Sequence, residues 1–205
     1  MEGTLINQAR AEIKAARPKT SILALNFEPK QAKRYLLAFY VEELKKRYQK
    51  CDLESAMVLV SKFIDAINAP EPTKFAIMLC GGCGVGKTTL LVAFRKFIDL
   101  ALKDNLRVLP TSPIQPAEQI QFIVANRSYI TLIDDVGTEA AERNEYGNIY
   151  SPFARFVEQF YELRAPFIFT TNLSPKTITE RYGERVGDRL RECCSVIVVN
   201  GNSFR

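Results

Sequence analysis

From residue 75 onward, short apolar runs alternate with longer stretches in which apolar residues recur every three or four positions. Phe75-Ala-Ile-Met-Leu-Cys80 is unbroken by any polar residue, and similar runs recur near 107–111, 129–134, 166–171 and 195–199. Runs this short, apolar at consecutive positions, mark strands buried on both faces, as in a parallel sheet. Helical spacing is expected between them, near 88–103, 116–126, 151–163 and 175–182. This alternation predicts an α/β domain, its parallel strands joined by crossover helices. The first 70 residues read as helices alone. Residues 4–16 place Leu5, Ala9, Ile13 and Ala16 on one face before Pro18 breaks the pattern. Pro29 suits the start of a second helix, reaching about Gln49, with Leu36, Tyr40 and Leu44 in one row and Leu37, Val41 and Tyr48 beside them. Asp52 is a candidate N-cap for a third helix to Asn68, with a stripe of Met57, Val60, Ile64 and Ile67. Ala69-Pro-Glu-Pro72 ends it, so an N-terminal helical segment (1–70) is expected before the α/β domain (71–205).

A chain of 205 residues suffices for one α/β domain and a modest appendage. No apolar run approaches the roughly 20 residues of a membrane helix, and no apolar leader opens the chain. The expected location is cytoplasmic, with no membrane partner. The five cysteines, Cys51, Cys80, Cys83, Cys193 and Cys194, are an odd number and argue for free thiols. Cys80 and Cys83 match C-x-x-C, and Cys193 and Cys194 would complete a zinc set. Cys80 ends a strand, however, and Cys83 lies in a glycine-rich loop, so no metal role is expected. The absence of histidine excludes histidine-based catalysis and metal ligation. The net charge is +5, and residues 1–74 hold 13 Lys and Arg against 9 Asp and Glu. That bias suits contact with nucleic acid, though solvated helix faces account for it more simply.

The first predicted strand runs into Gly81-Gly82-Cys83-Gly84-Val85-Gly86-Lys87-Thr88, which fills every fixed position of the phosphate-binding pattern G-x-x-x-x-G-K-[ST]. Glycines let backbone N–H groups turn inward around phosphate oxygens. Lys87 has the reach for β- and γ-phosphates, and the Thr88 hydroxyl suits Mg²⁺. Thr88 and Thr89 open a helix whose N-terminus favours anions. Strand, loop and helix together turn the pattern into a candidate site.

A second motif follows 47 residues after Lys87, where Tyr129-Ile-Thr-Leu-Ile-Asp134-Asp135 ends an apolar strand in two carboxylates. Beside a P-loop, Asp134 suits Mg²⁺ and Asp135 suits the base that activates water, with Glu139 a competing base. Phe167-Ile-Phe-Thr-Thr-Asn172 is a further strand ending in polar residues, and Asn172 suits the fixing of that water. Arg181, Arg185, Arg189 and Arg191 crowd the segment 180–192, and a planar, permanently charged arginine suits transition-state phosphate. Four arginines cannot all act this way, so a solvated helix face explains some of them.

Taken in order, the P-loop, Leu-Ile-Asp-Asp-Val-Gly-Thr-Glu, Thr-Thr-Asn-Leu-Ser, Arg-Tyr-Gly-Glu-Arg-Val-Gly-Asp-Arg-Leu and Gly-Asn-Ser-Phe-Arg resemble the AAA+ ATPases of the DnaC/DnaI type, and the related IstB transposition ATPases. The resemblance covers roughly residues 70–205. It implies an ASCE-type P-loop NTPase fold, a three-layer parallel sheet of about five strands in the order 5-1-4-3-2. By that resemblance Lys87 and Thr88 are the Walker A pair, Asp134 and Asp135 are Walker B, and Asn172 is sensor 1. Arg189 matches the arginine finger, with Arg185 as the fallback, and Arg205 matches the sensor 2 arginine.

The expected function is an ATP- and Mg²⁺-dependent ATPase that loads or remodels a replicative helicase, acting as an oligomer on single-stranded DNA. It would self-associate through its ATP site and be weak as a lone monomer. The alternative is an IstB-like regulator of a transposase on duplex DNA. A small-molecule kinase is disfavoured by the paired Walker B acids, and a non-hydrolysing scaffold would be indifferent to Asp135.

Overall fold

A computed structural model describes residues 6–10, 27–48, 52–68, 74–101, 130–139, 143–145 and 148–199. The expected strand at 107–111, the expected helix at 116–126, most of the expected helix at 4–16, and Arg205 lie outside them. Of the first helix, residues 6–10 are described and helical. The chain divides into two compact units. One combines residues 1–70, 82–108 and 199–205, and the other combines 71–81 and 109–198.

The first unit is helical. Helix α1 (Pro29–Arg47) begins with proline in its first turn, where the missing N–H costs nothing, and ends on Lys45, Lys46 and Arg47, which suit the negative end of the helix dipole. Leu36, Tyr40 and Leu44 are fully buried, as their spacing predicts. Helix α2 (Leu53–Ile67) is capped by the Asp52 carboxylate, which accepts from the Glu54 and Ser55 N–H groups. Its inward face is Ala56, Leu59, Val60, Phe63 and Ile64. The expected stripe is corrected here, because Met57 is 52% exposed beside exposed Leu53 and Val58. A row read through Met57 misses the wider inward face that Phe63 anchors. Helix α3 (Lys87–Ala101) buries Leu90, Leu91, Phe94, Phe97 and Ile98. It meets α2 through an edge-to-face pair of Phe63 and Phe94, with centroids 5.0 Å apart, and α1 through Phe39 and Phe97 at 6.4 Å.

Glu43 is a buried charge among these helices. Glu43 is 5% exposed, and its Oε1 accepts from Lys46 at 2.8 Å and Lys96 at 2.6 Å. Burial pushes the Glu43 carboxyl up, but the hydrogen bonds and charges of the two lysines outweigh it and hold the group below its ordinary value. A carboxylate lowered in the folded state stabilises above the unfolded value, roughly 4.3, and loses that contribution as pH falls through the folded value. Glu43→Gln is expected to cost about 1 kcal/mol at pH 7, the lysines being half exposed. The difference from the parent should shrink toward pH 3, read from urea unfolding at both pH values.

The second unit carries the sheet. Strands β1 (Ala76–Cys80), β2 (Thr131–Val136), β5 (Phe167–Thr171) and β6 (Cys194–Val198) stand in the order β6-β1-β5-β2, all parallel. Numbered as the five expected strands, this is 5-1-4-3. The register aligns Ala76 with Phe167 and with Cys194. β1 and β5 are buried throughout, which explains their unbroken apolar runs.

Helices α4 (Pro152–Leu163), α5 (Pro175–Tyr182) and α6 (Glu184–Cys193) pack on one sheet face. Met78, Ile133, Phe167 and Phe169 share a core there with Phe153, Phe156, Phe160, Ile178 and Leu190. Ser151 and Ser174 cap α4 and α5, each followed by proline, the start signal the sequence shows. Gly187 lets α6 lie against α5, since a Cβ there would overlap Thr179.

Three elements lie outside the expected ranges. A small antiparallel hairpin pairs β3 (Arg143–Glu145) with β4 (Asn148–Tyr150), in a stretch without an apolar run to announce it. The arginine-rich segment forms α6, with only Val186, Gly187, Leu190 and Cys193 buried.

Candidate nucleotide site

In the helical unit, the loop leading into α3 depends on two glycines. Gly84 and Gly86 have φ of 79° and 87°, left-handed backbone that a Cβ would strain. Gly86 also joins loop to helix, its carbonyl accepting from the Leu90 N–H at 2.9 Å and from the Tyr40 hydroxyl at 3.3 Å. Tyr40 is fully buried on α1, so the N-terminal helices brace this loop directly. Lys87, only 6% exposed, folds back from the first turn of α3, and its ammonium donates to the Gly82 carbonyl at 2.7 Å. Thr88 is partly buried at the helix start, whereas the Thr89 hydroxyl is buried and makes no hydrogen bond. Gly82 and Cys83 are exposed, Gly81 and Gly84 partly so, and Val85 is buried. Cys80, Cys83, Cys193 and Cys194 are free thiols, and among the described residues no cluster of three or more His, Cys, Asp or Glu could hold a metal ion.

In the sheet unit, the two acids occupy an irregularity. Ile133 pairs with Phe169 and Val136 pairs with Thr171, so Asp134 and Asp135 together oppose the single residue Thr170. This is a β-bulge, two residues against one, with the ladder locally broken. Asp135 takes φ of 58°, unusual for a residue with a side chain. Thr170 is fully buried, and its hydroxyl serves both acids, donating to Asp134 Oδ1 at 2.5 Å and accepting the Asp135 N–H at 2.8 Å. Thr171 donates to the Val136 carbonyl at 2.7 Å, where the regular register has resumed. Asp135 is exposed, and so is Asn172, just past the end of β5.

The carboxylate of Glu139 is already engaged. It accepts from the Gly137 N–H at 2.8 Å and from the Tyr182 hydroxyl of α5, while Arg181 donates to the Glu139 carbonyl at 2.5 Å. Burial, then the bond to Glu139, push the Tyr182 hydroxyl well above its ordinary value, so it stays a donor.

The arginines stand on α5 and α6. Arg189 is half-buried, 3.2 Å from Glu158 and 3.6 Å from Glu162 of α4, with its guanidinium 5.3 Å over the Tyr161 ring. Arg185 is more exposed and lies 3.1 Å from the same Glu158. Arg191 pairs with Asp188 and Glu184. Thr170 thus joins the two acids, Glu139 is tied separately to Gly137 and to α5, and Arg189 belongs to a further cluster on α4.

No protein-family model matches the chain, and no curated protein matches it either. Solved structures do. The crystal structure of the DnaC helicase loader aligns with a TM-score of 0.52 at 20% identity, over 79% of this chain and 98% of that one. The crystal structure of DnaI aligns with a TM-score of 0.50 at 20% identity, over 80% and 93%. The chain has the DnaC/DnaI fold.

Within this fold, the loop at Gly81–Thr89 fits a nucleoside triphosphate on its own observations. Two glycines hold left-handed backbone, a lysine lies over the loop, and a 15-residue helix begins there. The carboxylate of Asp134 and hydroxyl of Thr88 are hard oxygen donors of the kind Mg²⁺ takes. Sequence reading missed Thr170, Tyr40 and Tyr182. Thr170 had a signal, a polar pair ending an apolar strand, whereas nothing local marks a tyrosine as a brace.

Proposed function

We propose that the chain is a Mg²⁺-dependent ATPase that loads or remodels a replicative DNA helicase. The observation that carries this reading is the P-loop geometry, Gly84 and Gly86 left-handed with Lys87 folded over the loop, in a chain with the fold of a helicase loader. Backbone N–H groups of the loop and Lys87 would bind the phosphates, and Thr88 and Asp134 are each proposed as metal ligands. Bound Mg²⁺ would neutralise charge on the β- and γ-phosphate oxygens. Asp135 takes the proton of the attacking water, and Asn172 orients that water. Assignment of the base to Asp135 is supported by its exposure and by the two hydrogen bonds that occupy the Glu139 carboxylate. Arg205 is proposed as the sensor 2 arginine from the sequence motif alone.

Arg189 is proposed as the finger that completes a neighbouring subunit's site. To act so it must exchange Glu158 and Glu162 for phosphate, so a lone chain is a poor enzyme and self-association raises its turnover. Arg189→Ala is expected to lower steady-state turnover at saturating protein on the order of 10³-fold, the scale of an arginine finger. Unchanged phosphate release would remove Arg189 from this role and leave Arg185 to be tested in the same way.

The helicase reading is tested with the full chain, the replicative helicase of its own host and single-stranded DNA. ATP-dependent co-elution of both proteins, followed by DNA unwinding, is the expected result. Binding to duplex DNA and a transposase, with no helicase complex, would replace it with the IstB-like function. Titration in salt separates direct DNA contact from contact through the partner.

A further inference from the structure

We propose that Thr170 is the positioning residue that sets both Walker B acids at once, and that the β-bulge at Asp134 and Asp135 is built around its hydroxyl. The inference rests on the reading of Asp134 as metal ligand and Asp135 as base.

A regular parallel ladder would pair one residue of β2 with one of β5. Here Asp134 and Asp135 share Thr170, and the regular register resumes only at Val136 and Thr171. The extra residue leaves backbone groups that the ladder no longer satisfies, which is costly where they are shielded from water. The Thr170 hydroxyl takes over that function. It accepts the Asp135 N–H at 2.8 Å, which supports the left-handed backbone of Asp135, at φ 58°. The same oxygen spends its one proton on Asp134 Oδ1 at 2.5 Å, which restrains the orientation of that carboxylate.

Only a hydroxyl can donate and accept from one atom here, so the position demands threonine or serine. Complete burial keeps water from substituting for it. Side chains that orient a metal ligand commonly change affinity or activity 10- to 100-fold when removed.

The test compares Thr170→Val, which keeps the shape and removes the hydroxyl, with Thr170→Ser, which restores it. Thr171→Val is the control for structure alone, because it also removes buried hydrogen bonds from β5, to the Val136 carbonyl and the Leu173 N–H, without touching either acid. Affinity for a fluorescent ATP analogue is measured across a Mg²⁺ titration, beside kcat, KM and Tm. Thr170→Val is expected to raise the half-saturating Mg²⁺ concentration and lower kcat, each by about tenfold or more, with KM changed less. Thr170→Ser should recover most of both, and Thr171→Val should lower Tm alone.

Thr170→Val with parental Mg²⁺ response and kcat but a lowered Tm would overturn the inference. If Thr170→Val does not fold, Thr170→Cys replaces it, as a thiol of similar size that bonds weakly. Should the parent itself show no Mg²⁺-dependent binding of the analogue, the ATP-site reading fails, and that result is visible before any variant is made.

Discussion

Lys87→Ala is expected to abolish ATP turnover and to weaken nucleotide binding by at least 30-fold. The ammonium is almost fully buried against its own loop, bonded to the Gly82 carbonyl, so it is already placed where phosphates are to bind. A charge-assisted contact of this kind is worth about 2–5 kcal/mol when one partner is removed from a desolvated pair, which is 30-fold or more in affinity. The glycines would still turn their N–H groups toward the anion, so residual weak binding is expected. Titration with a fluorescent ATP analogue checks the affinity, and a phosphate-release assay checks turnover. The unliganded fold should survive, because Gly82 is exposed and water can satisfy its carbonyl. Circular dichroism separates that outcome from unfolding. A variant that still hydrolyses ATP at the parental rate would remove the P-loop from the mechanism.

Asp135→Asn is expected to lower kcat by 10²-fold or more, the low end of what a positioned general base contributes, and to leave ATP affinity within a few-fold. Asparagine also tolerates left-handed backbone, so the bulge should persist with its shape intact. Glu139→Gln is the decisive companion. If Glu139 is a strut, glutamine keeps a carbonyl oxygen for the Gly137 N–H and can donate its NH2 to the Tyr182 hydroxyl oxygen, and turnover should change only a few-fold. If Glu139 were the base, Glu139→Gln would abolish turnover and Asp135→Asn would be mild. Single-turnover hydrolysis with both variants separates the two assignments. A scaffold that only binds nucleotide would be indifferent to both changes.

Much of the fold was legible because burial leaves marks that a sequence keeps. Strands covered on both faces need apolar residues at every position, so β1 and β5 stand out as runs, whereas the apolar run of β6 is corrected by the structure, which leaves Val196 and Val198 exposed at the end of the sheet order. The helical spacing near 151–163 and 175–182 found α4 and α5, whose serine caps act within three residues. The P-loop was legible for the same reason, since left-handed backbone at Gly84 and Gly86 admits little but glycine. What failed were judgements that needed a partner surface. Met57 has the spacing of a core residue, but whether it is covered depends on what lies beside α2. Asp134 and Asp135 read as a plain strand end, because a bulge is a property of two strands in register.

By itself, the sequence determined the strand and helix alternation over the described residues from 75 onward, and offered the candidate chemistry of Lys87, Thr88, Asp134, Asp135, Asn172 and Arg189. Each of these follows from local physics: periodicity, capping, backbone freedom or the charge of one residue type. Only the tertiary structure decided how those groups are held. It bonds Thr170 to both acids, occupies Glu139 with Tyr182, sets Tyr40 against the P-loop and ties Arg189 to Glu158 and Glu162. These are pairings between residues 31 to 46 positions apart or between separate helices. No local rule encodes them, because such contacts exist only once packing has brought distant segments together and excluded the water that would otherwise satisfy their polar groups.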